Sequence, residues 1–443
     1  MNAIDATHNP SLRSWVQSAN APNANFPIQN LPFGSFCRRG TREHARIGVA
    51  IGDCILDISA CLAANLFAGS SEEARDAAIL CAQSTLNDLM ASGRAPARAL
   101  RVAISALLAE DAANNLQQTA HHALVAQSDA DLFLPVNIGD YTDFYASVHH
   151  ASNVGALFRP DNPLLPNYKW VPIGYHGRAS SIVISGTPVR RPRGQRKGPN
   201  DAEPVFSASR SLDYEVELGV FVAGSNTLGD AITMEHAEAH LFGMCLLNDW
   251  SARDVQSWEY QPLGPFLAKN FASTISPWVV TMDALAPFRA PLATRDAGDP
   301  APLPYLTQSV DAAFGGFDVT VEMWMRSSAM RDADEPAVRI THGSALDLYW
   351  TFAQMLAHHA SNGCNMRPGD FLGSGTVSGP QPENRGCLLE LTRRGADPVK
   401  LPNGDTRAFL EDGDEVILRA YAERDGAVRI GFGECRGVIT PAV

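Results

Sequence analysis

The segment Leu212-Asp-Tyr-Glu-Val-Glu-Leu-Gly-Val-Phe-Val222 concentrates acidic side chains at a spacing that could do chemistry. A β-strand sends successive side chains to opposite faces, so Asp213, Glu215 and Glu217 would point one way and Tyr214, Val216 and Leu218 the other. Carboxylates crowded on one face repel unless water or a shared cation relieves them. A solvated edge strand would supply the water. The apolar continuation from Leu218 to Val222 instead leads into a core, where a carboxylate needs a partner and a hard cation is the natural one. Two more acids could join. Asp143 lies in the aromatic-rich run Ile138-Gly-Asp-Tyr-Thr-Asp-Phe-Tyr145, and Asp249 closes the apolar run from Leu241 to Trp250. Each could equally be a turn residue. Four carboxylates without clustered Cys or His would suit Mg²⁺ or Ca²⁺ rather than zinc.

Histidines occur as the adjacent pairs His121-His122, His149-His150 and His358-His359. The first falls in helical sequence and reads as surface, and His359 reads as a hydrogen-bonded core residue. His150 follows Asp143 closely, so it is placed to deprotonate a water near a metal carboxylate. Arg253 and Gln256 share a face if their segment is helical, and Asp249, four residues earlier, would join them. A surface ion pair is the plainer reading, but two Trp, a Tyr and a Phe nearby argue for enclosure. Lys269 follows the turn Gly264-Pro265 among apolar residues, where an unpaired ammonium is costly. Such donors could stabilise an oxyanion. Gly431-Phe-Gly-Glu-Cys-Arg-Gly437 has the wrong spacing for a dinucleotide loop and leads into strand sequence. No G-x-S-x-G elbow supports a serine hydrolase.

These residues must be positioned by elements the sequence also predicts. Arg46 to Ile51 and Cys54 to Ile58 flank Gly52-Asp53 as a hairpin. Ser70 with Glu73 offers a capping box for a helix to Ser92-Gly93, and Ala95 to about Ala126 reads as further helix. Beyond the polar stretch at 127–131, β-branched runs alternate with Gly and Pro turns: Ser181 to Ser185, Tyr214 to Val222, Trp278 to Thr281, Phe317 to Met325 and Glu415 to Tyr421. One helix is predicted from Ser344, capped with Asp347, carrying Leu348, Phe352, Met355, Leu356 and His359 to Asn362-Gly363. The fold class is therefore mainly β with some helices (α+β).

A chain of 443 residues exceeds the usual single domain. Its formal charge of −13 argues against a nucleic-acid surface. No apolar run reaches the roughly 18 residues that span a bilayer, and the first residues lack the basic and apolar regions of a signal peptide. Eight scattered cysteines read as reduced core thiols of a cytoplasmic protein.

Several long motifs resemble the two-domain type of the fumarylacetoacetate hydrolase family. They are the Ile138–Tyr145 run, Gly174-Tyr-His-Gly-Arg-Ala-Ser-Ser181, Asn248-Asp-Trp-Ser-Ala-Arg-Asp254, Pro262-Leu-Gly-Pro-Phe-Leu267, Asn362-Gly-Cys-Asn365, Arg367-Pro-Gly-Asp370 and Gly375-Thr-Val-Ser-Gly379. The resemblance runs from about Leu31 to Pro441. Residues 1–30, rich in Asn, Pro and Ala without periodicity, read as an arm, and the resemblance implies an SH3-like barrel with helices over 31–130, a catalytic β-roll domain over 131–443, and a homodimer. It implies metal ligands at Asp143, Glu215, Glu217 and Asp249, and does not include Asp213 among them. It implies His150 as base, oriented by Glu390, with Arg253, Gln256 and Lys269 polarising the substrate. Tyr145, Arg159, Tyr175, Gln256, Tyr260 and Thr376 match substrate contacts. A second ion site near Asp249 and Lys269 is also implied, where Ser273 replaces the expected threonine. The implied reaction is hydrolysis of a carbon–carbon bond in fumarylacetoacetate, a small 1,3-diketo acid, to fumarate and acetoacetate. The metal-held leaving group would depart as an enolate, closing tyrosine and phenylalanine catabolism. A related acylpyruvate hydrolase, a diketo-acid decarboxylase or isomerase, and a non-catalytic metal-binding scaffold are the alternatives.

Overall fold

The alternation in Arg46–Ile51 and Cys54–Asp57 folds as an antiparallel hairpin, with Ile51 opposite Cys54. Gly52 turns it at φ +57, and a Cβ there would lie 2.6 Å from the Ala19 backbone nitrogen, so glycine is required twice over. In this computed structural model, which describes residues 4–443, the hairpin is the centre of a five-stranded sheet. Its order is Leu124–Ala126, Cys54–Asp57, Arg46–Ile51, Phe33–Arg38 and Ala130–Phe133, antiparallel throughout. Helices Glu72–Leu80 and Arg94–Leu108 cover one face and bury Ala77, Leu100, Ile104 and Leu108 against Ile47, Val49 and Leu56.

Local propensity misplaces some boundaries here. The helix expected from Ser70 is capped one residue later, by Ser71, whose hydroxyl accepts from the Ala74 N–H, and it ends at Leu80. A separate short helix, Asn87–Ala91, follows. Leu124–Ala126, read as helix, is instead the strand that completes the sheet beside Cys54–Asp57, because pairing overrides an alanine-rich composition. The polar stretch at 127–131 makes a single turn and enters the strand Ala130–Phe133.

Of the segment 1–30, residues 1–3 lie outside those described. The rest is docked through buried Val16, Ala19, Phe26 and Ile28. His8 Nε2 lies 2.8 Å from the Asp283 carbonyl, and the Ser14 hydroxyl donates to the Leu108 carbonyl at 2.8 Å.

The larger domain is built on two sheets. One runs Gly174–Gly177, Tyr141–Phe144, Phe371–Gly373, Val216–Val222, Leu241–Asp249, Ser273–Ile275 and Ile182–Ile184, with Val280–Thr281 paired to Leu241–Asp249. The other runs Val338–Ser344, Val319–Arg326, Glu415–Ala422, Ile430–Thr440 and Val189–Arg190. Leu218, Val220, Leu246, Met323, Leu418 and Phe432 form one core between them. The opposite face of the first sheet buries Phe221, Cys245, Leu247 and Phe371 against the N-terminal domain. Its central strand is thus covered on both sides, which disposes of the solvated-edge reading of its acids.

The sequence from Leu212 to Val222 is not one strand. Leu212–Asp213 pairs with Ser251–Ala252, Val216–Val222 pairs with Leu241–Asp249, and Tyr214 and Glu215 form the break between them. Asp213 is thereby separated from the face that carries Glu215 and Glu217. The helix predicted from Ser344 also begins later. Ser344 caps only the turn Ala345–Asp347, whereas Thr351 and Gln354 form the capping box of helix Phe352–Ala360. Gly363, at φ +87, follows its end. The Gly431–Gly437 segment lies inside the strand Ile430–Thr440. Among the described residues no helix is long and apolar enough to cross a membrane.

Candidate active site

Three strands of the first sheet, two of them separated by Phe371–Gly373, bring the acids together. Asp143 stands on Tyr141–Phe144 opposite Gly373, Glu217 on Val216–Val222, and Asp249 at the end of Leu241–Asp249, with Glu215 just before the middle strand. One carboxylate oxygen from each of Asp143, Glu215, Glu217 and Asp249 lies within 4.8 Å of the others, and all four residues are buried. Gly373 leaves room for this: a Cβ there would be 2.6 Å from Asp143 Oδ1 and 3.1 Å from Glu217 Oε2.

Among the described residues, Asp143 Oδ1 and Glu217 Oε1 have no hydrogen-bond partner. Burial, reinforced by the Asp249 charge, pushes the Asp143 carboxyl far above the ordinary range. Burial with the charges of Asp143, Glu215 and Asp249 does the same to Glu217. Glu215 behaves oppositely. Burial opposes its ionisation, but Lys269 at 2.5 Å and Arg253 at 2.8 Å hold it well below the usual value. Asp249 accepts from Tyr175 Oη at 2.9 Å and Ser273 Oγ at 2.8 Å, and its Oδ2 is 2.8 Å from Lys269 Nζ. Orphaned buried oxygens, an all-oxygen donor set and mutual repulsion together fit a hard divalent cation.

His150 sits on helix Val148–Phe158, whose cap Ser147 accepts from the His150 N–H. Its Nδ1 is 2.6 Å from Glu390 Oε2. A carboxylate acceptor requires a proton on Nδ1, so in the neutral imidazole Nε2 is the nitrogen that can act as the acceptor. Glu390, on the short helix Leu388–Leu391, is itself tightly held. Its Oε2 also accepts from Ser378 Oγ at 2.9 Å and Cys387 Sγ at 3.2 Å, and Oε1 accepts from Asn153 Nδ2 at 2.8 Å. Burial alone would raise this carboxyl, but His150 and these donors pull it down to about 2. Ser378, Cys387 and Asn153 escaped the sequence reading. Their signals were faint: Asn153 is one helical turn from His150, and Cys387 is one turn from Glu390.

Arg253 opens helix Arg253–Glu259 and donates from Nη1 to Gln256 Oε1 at 3.1 Å, as their spacing predicts. Asp249 does not join them, because it ends a strand rather than preceding Arg253 on a helix. Arg253 pairs instead with Asp213 and Glu215, while the cation facing Asp249 is Lys269. Lys269 is buried and, despite burial, Asp249 and Glu215 hold its ammonium more strongly protonated than usual.

Tyr145 meets the His150 ring edge-on at 5.3 Å. Thr376 is buried with no hydrogen-bond partner for Oγ1 among the described residues. Arg159 caps the His150 helix and donates to the Pro163 carbonyl, and the hydrogen bonds of Tyr260 run through its backbone to Gln256 and Gly264. Among the described residues, neither side chain is tied to the other candidates by a hydrogen bond or ion pair. A cleft of about 410 Å³, lined by Tyr175, Arg178, Asp249, Phe266, Lys269 and Ser273 among others, reaches the Asp249 and Lys269 side of the acid cluster. His121 and His122 are exposed, and His359 Nε2 is bonded to Thr142 Oγ1 at 2.8 Å.

Comparison with known proteins agrees across the whole chain. Residues 29–135 match the fumarylacetoacetase N-terminal family and residues 140–440 the fumarylacetoacetate (FAA) hydrolase C-terminal family. The fumarylacetoacetase of Homo sapiens is 48% identical over 426 residues, covering 96% of this chain and 98% of that one. That of Caenorhabditis elegans is 49% identical over 95% of this chain and 97% of its own. The enzyme of Oryza sativa subsp. japonica is 45% identical over 98% of both.

Proposed function

The chain belongs to the fumarylacetoacetase family, and from that premise we propose that it hydrolyses fumarylacetoacetate to fumarate and acetoacetate with the residues described above. It is a hydrolase acting on a carbon–carbon bond. The observation that carries the mechanism is the buried His150 Nδ1 to Glu390 hydrogen bond, which commits Nδ1 to the carboxylate and leaves Nε2 as the nitrogen that can exchange a proton with substrate or water.

Water is a weak nucleophile and a carbanion is a poor leaving group, so both ends of the reaction need help. His150 Nε2 takes a proton from water as its oxygen attacks the ketone carbon beside the fumaryl arm. Glu390 keeps the imidazole in the required tautomer and stabilises the imidazolium that forms. Negative charge then develops on the former ketone oxygen, where Lys269, Arg253 and Gln256 supply donors. Collapse of the adduct breaks the carbon–carbon bond, and the electron pair leaves on the acetoacetate side. His150 returns the proton there, completing acetoacetate and leaving fumarate.

Asp143, Glu215, Glu217 and Asp249 would hold a divalent cation, Mg²⁺ or Ca²⁺, which when bound supplies Lewis-acid stabilisation for the departing enolate. Asp249, Lys269 and Ser273 form the candidate second ion site, supported by the Ser273 hydroxyl being bonded to Asp249. Tyr145, Arg159, Tyr175, Gln256, Tyr260 and Thr376 are assigned to the substrate. The protein would act in the cytoplasm, at the end of tyrosine and phenylalanine catabolism, as a homodimer. The test is a competition between fumarylacetoacetate and acylpyruvates. Preferred turnover of the former, with fumarate identified as product, supports the assignment, and preferred turnover of acylpyruvates refutes it.

A further inference from the structure

Asp213 is the one acid of its segment left without a role in this chemistry, yet it is fully buried and both its oxygens are occupied. Oδ2 accepts from Arg253 Nε at 2.9 Å and the Leu389 N–H at 3.0 Å. Oδ1 accepts from the Leu388 N–H at 2.8 Å and from the Tyr214 N–H at 2.9 Å. Leu388 and Leu389 are the first residues of the short helix that carries Glu390. One carboxylate therefore grips the side chain of Arg253 and the backbone that aims Glu390 at His150.

The grip on Arg253 is directional. With Nε held by Asp213 and Nη1 by Gln256, the guanidinium plane is fixed and its Nη2 edge faces Glu215 and the acid cluster. The pairing of Leu212–Asp213 with Ser251–Ala252 sets the same arrangement from the backbone, since Arg253 follows directly and its N–H donates to the Ser211 carbonyl. We propose that Asp213 is a positioning residue that locks the oxyanion-side Arg253 and the base-side Glu390–His150 pair into one rigid unit. The proposal rests on the hydrolase reading above. An isosteric Asn cannot substitute, because it offers one oxygen where two are used. Its amide would face N–H donors, and Arg253 would lose a counter-charge.

The test compares wild type with Asp213→Asn on turnover and on the proton in the His150 Nδ1 to Glu390 bond. That proton is read by NMR without substrate and assigned by its loss in His150→Ala. The expected result is a kcat about 100-fold lower, the scale of a misplaced catalytic group, with KM within about threefold and the proton shifted or broadened. A kcat within about threefold of wild type overturns the proposal. So does a large kcat loss with the proton unmoved, because Asp213 would then not reach the base. If Asp213→Asn does not fold alone, Asp213→Asn with Arg253→Gln removes both charges together. In that pair a moved proton supports the proposal and an unmoved one overturns it. A wild-type protein that failed to turn over fumarylacetoacetate would fault the function and leave the proton reading intact.

Discussion

Replacing Glu390 by Gln keeps its shape and removes its charge, so it isolates what the carboxylate does for His150. The carboxyl falls from its ordinary 4.5 to about 2 in the fold, against the burial that would raise it. At about 1.4 kcal/mol per unit this is about 3 kcal/mol of interaction between the charged carboxylate and its surroundings. The residue is fully enclosed, so solvent screening takes little of this away. His150 is the chief partner, at 2.6 Å, and in the transition state it carries the full positive charge taken up from water. Much of the interaction would therefore be lost in the transition state, which predicts a kcat lower by about 100-fold. The amide adds a second cost, because its NH₂ must face either Asn153 or the donors Ser378, Cys387 and His150. The assay is ultraviolet loss of the conjugated diketone under saturating substrate, with melting temperature and cation binding checked in parallel. A folded, cation-binding Glu390→Gln protein with kcat within about threefold of wild type would refute the reasoning. The same depression fixes a stability window. Its contribution is fully present above 4.5 and is lost as pH falls through about 2, so the variant should lose that part of the acid limb in urea titrations.

Glu217→Gln should weaken divalent-cation binding at least about tenfold by calorimetry. In cation-free protein, where burial and the neighbouring charges already favour the neutral carboxyl, the melting temperature should change little, and unchanged affinity would contradict the cluster's role. Asp311, raised by burial from 3.8 to about 6 against hydrogen bonds from Thr351, has the opposite sign. Its folded form binds the proton more tightly, so stability is lost as pH climbs from about 4 to 6, by up to about 3 kcal/mol. Asp311→Asn should therefore flatten the urea midpoint between about pH 4 and 6, and an unaltered pH slope would refute this. Deleting residues 1–20 strips Val16, Ala19 and the hydrogen bonds of His8 and Ser14 from both domains. It should cost about 3 kcal/mol, read as a lower urea midpoint, and an unchanged midpoint would show the docking to be idle.

Much of the site could be seen in the chain because strand alternation and apolar context are local signals. Glu215 and Glu217 carry both, and Gly52-Asp53 carries an equally local turn signal. Asp213 shows the limit of periodicity. Tyr214 and Glu215 interrupt the strand, so the period-2 count fails at the residue where the chain changes partner strands. Asp249 and Arg253 fail for a related reason: their spacing suits a helix, but a strand ends and a helix begins between them. Leu124–Ala126 became a strand through pairing with a segment about seventy residues earlier, which no local window contains. The donors that hold Glu390 come from Asn153, Ser378 and Cys387, on three separate parts of the chain. Only the assembled fold brings them together.

The most direct test of the account is the decay of fumarylacetoacetate absorbance with and without a chelator, with products identified. The account predicts decay to fumarate and acetoacetate that stops when divalent cations are removed and returns when Mg²⁺ or Ca²⁺ is restored. Decay that persists in fully chelated protein would contradict the role given to the four carboxylates. No decay from folded, cation-loaded protein would contradict the assigned reaction itself.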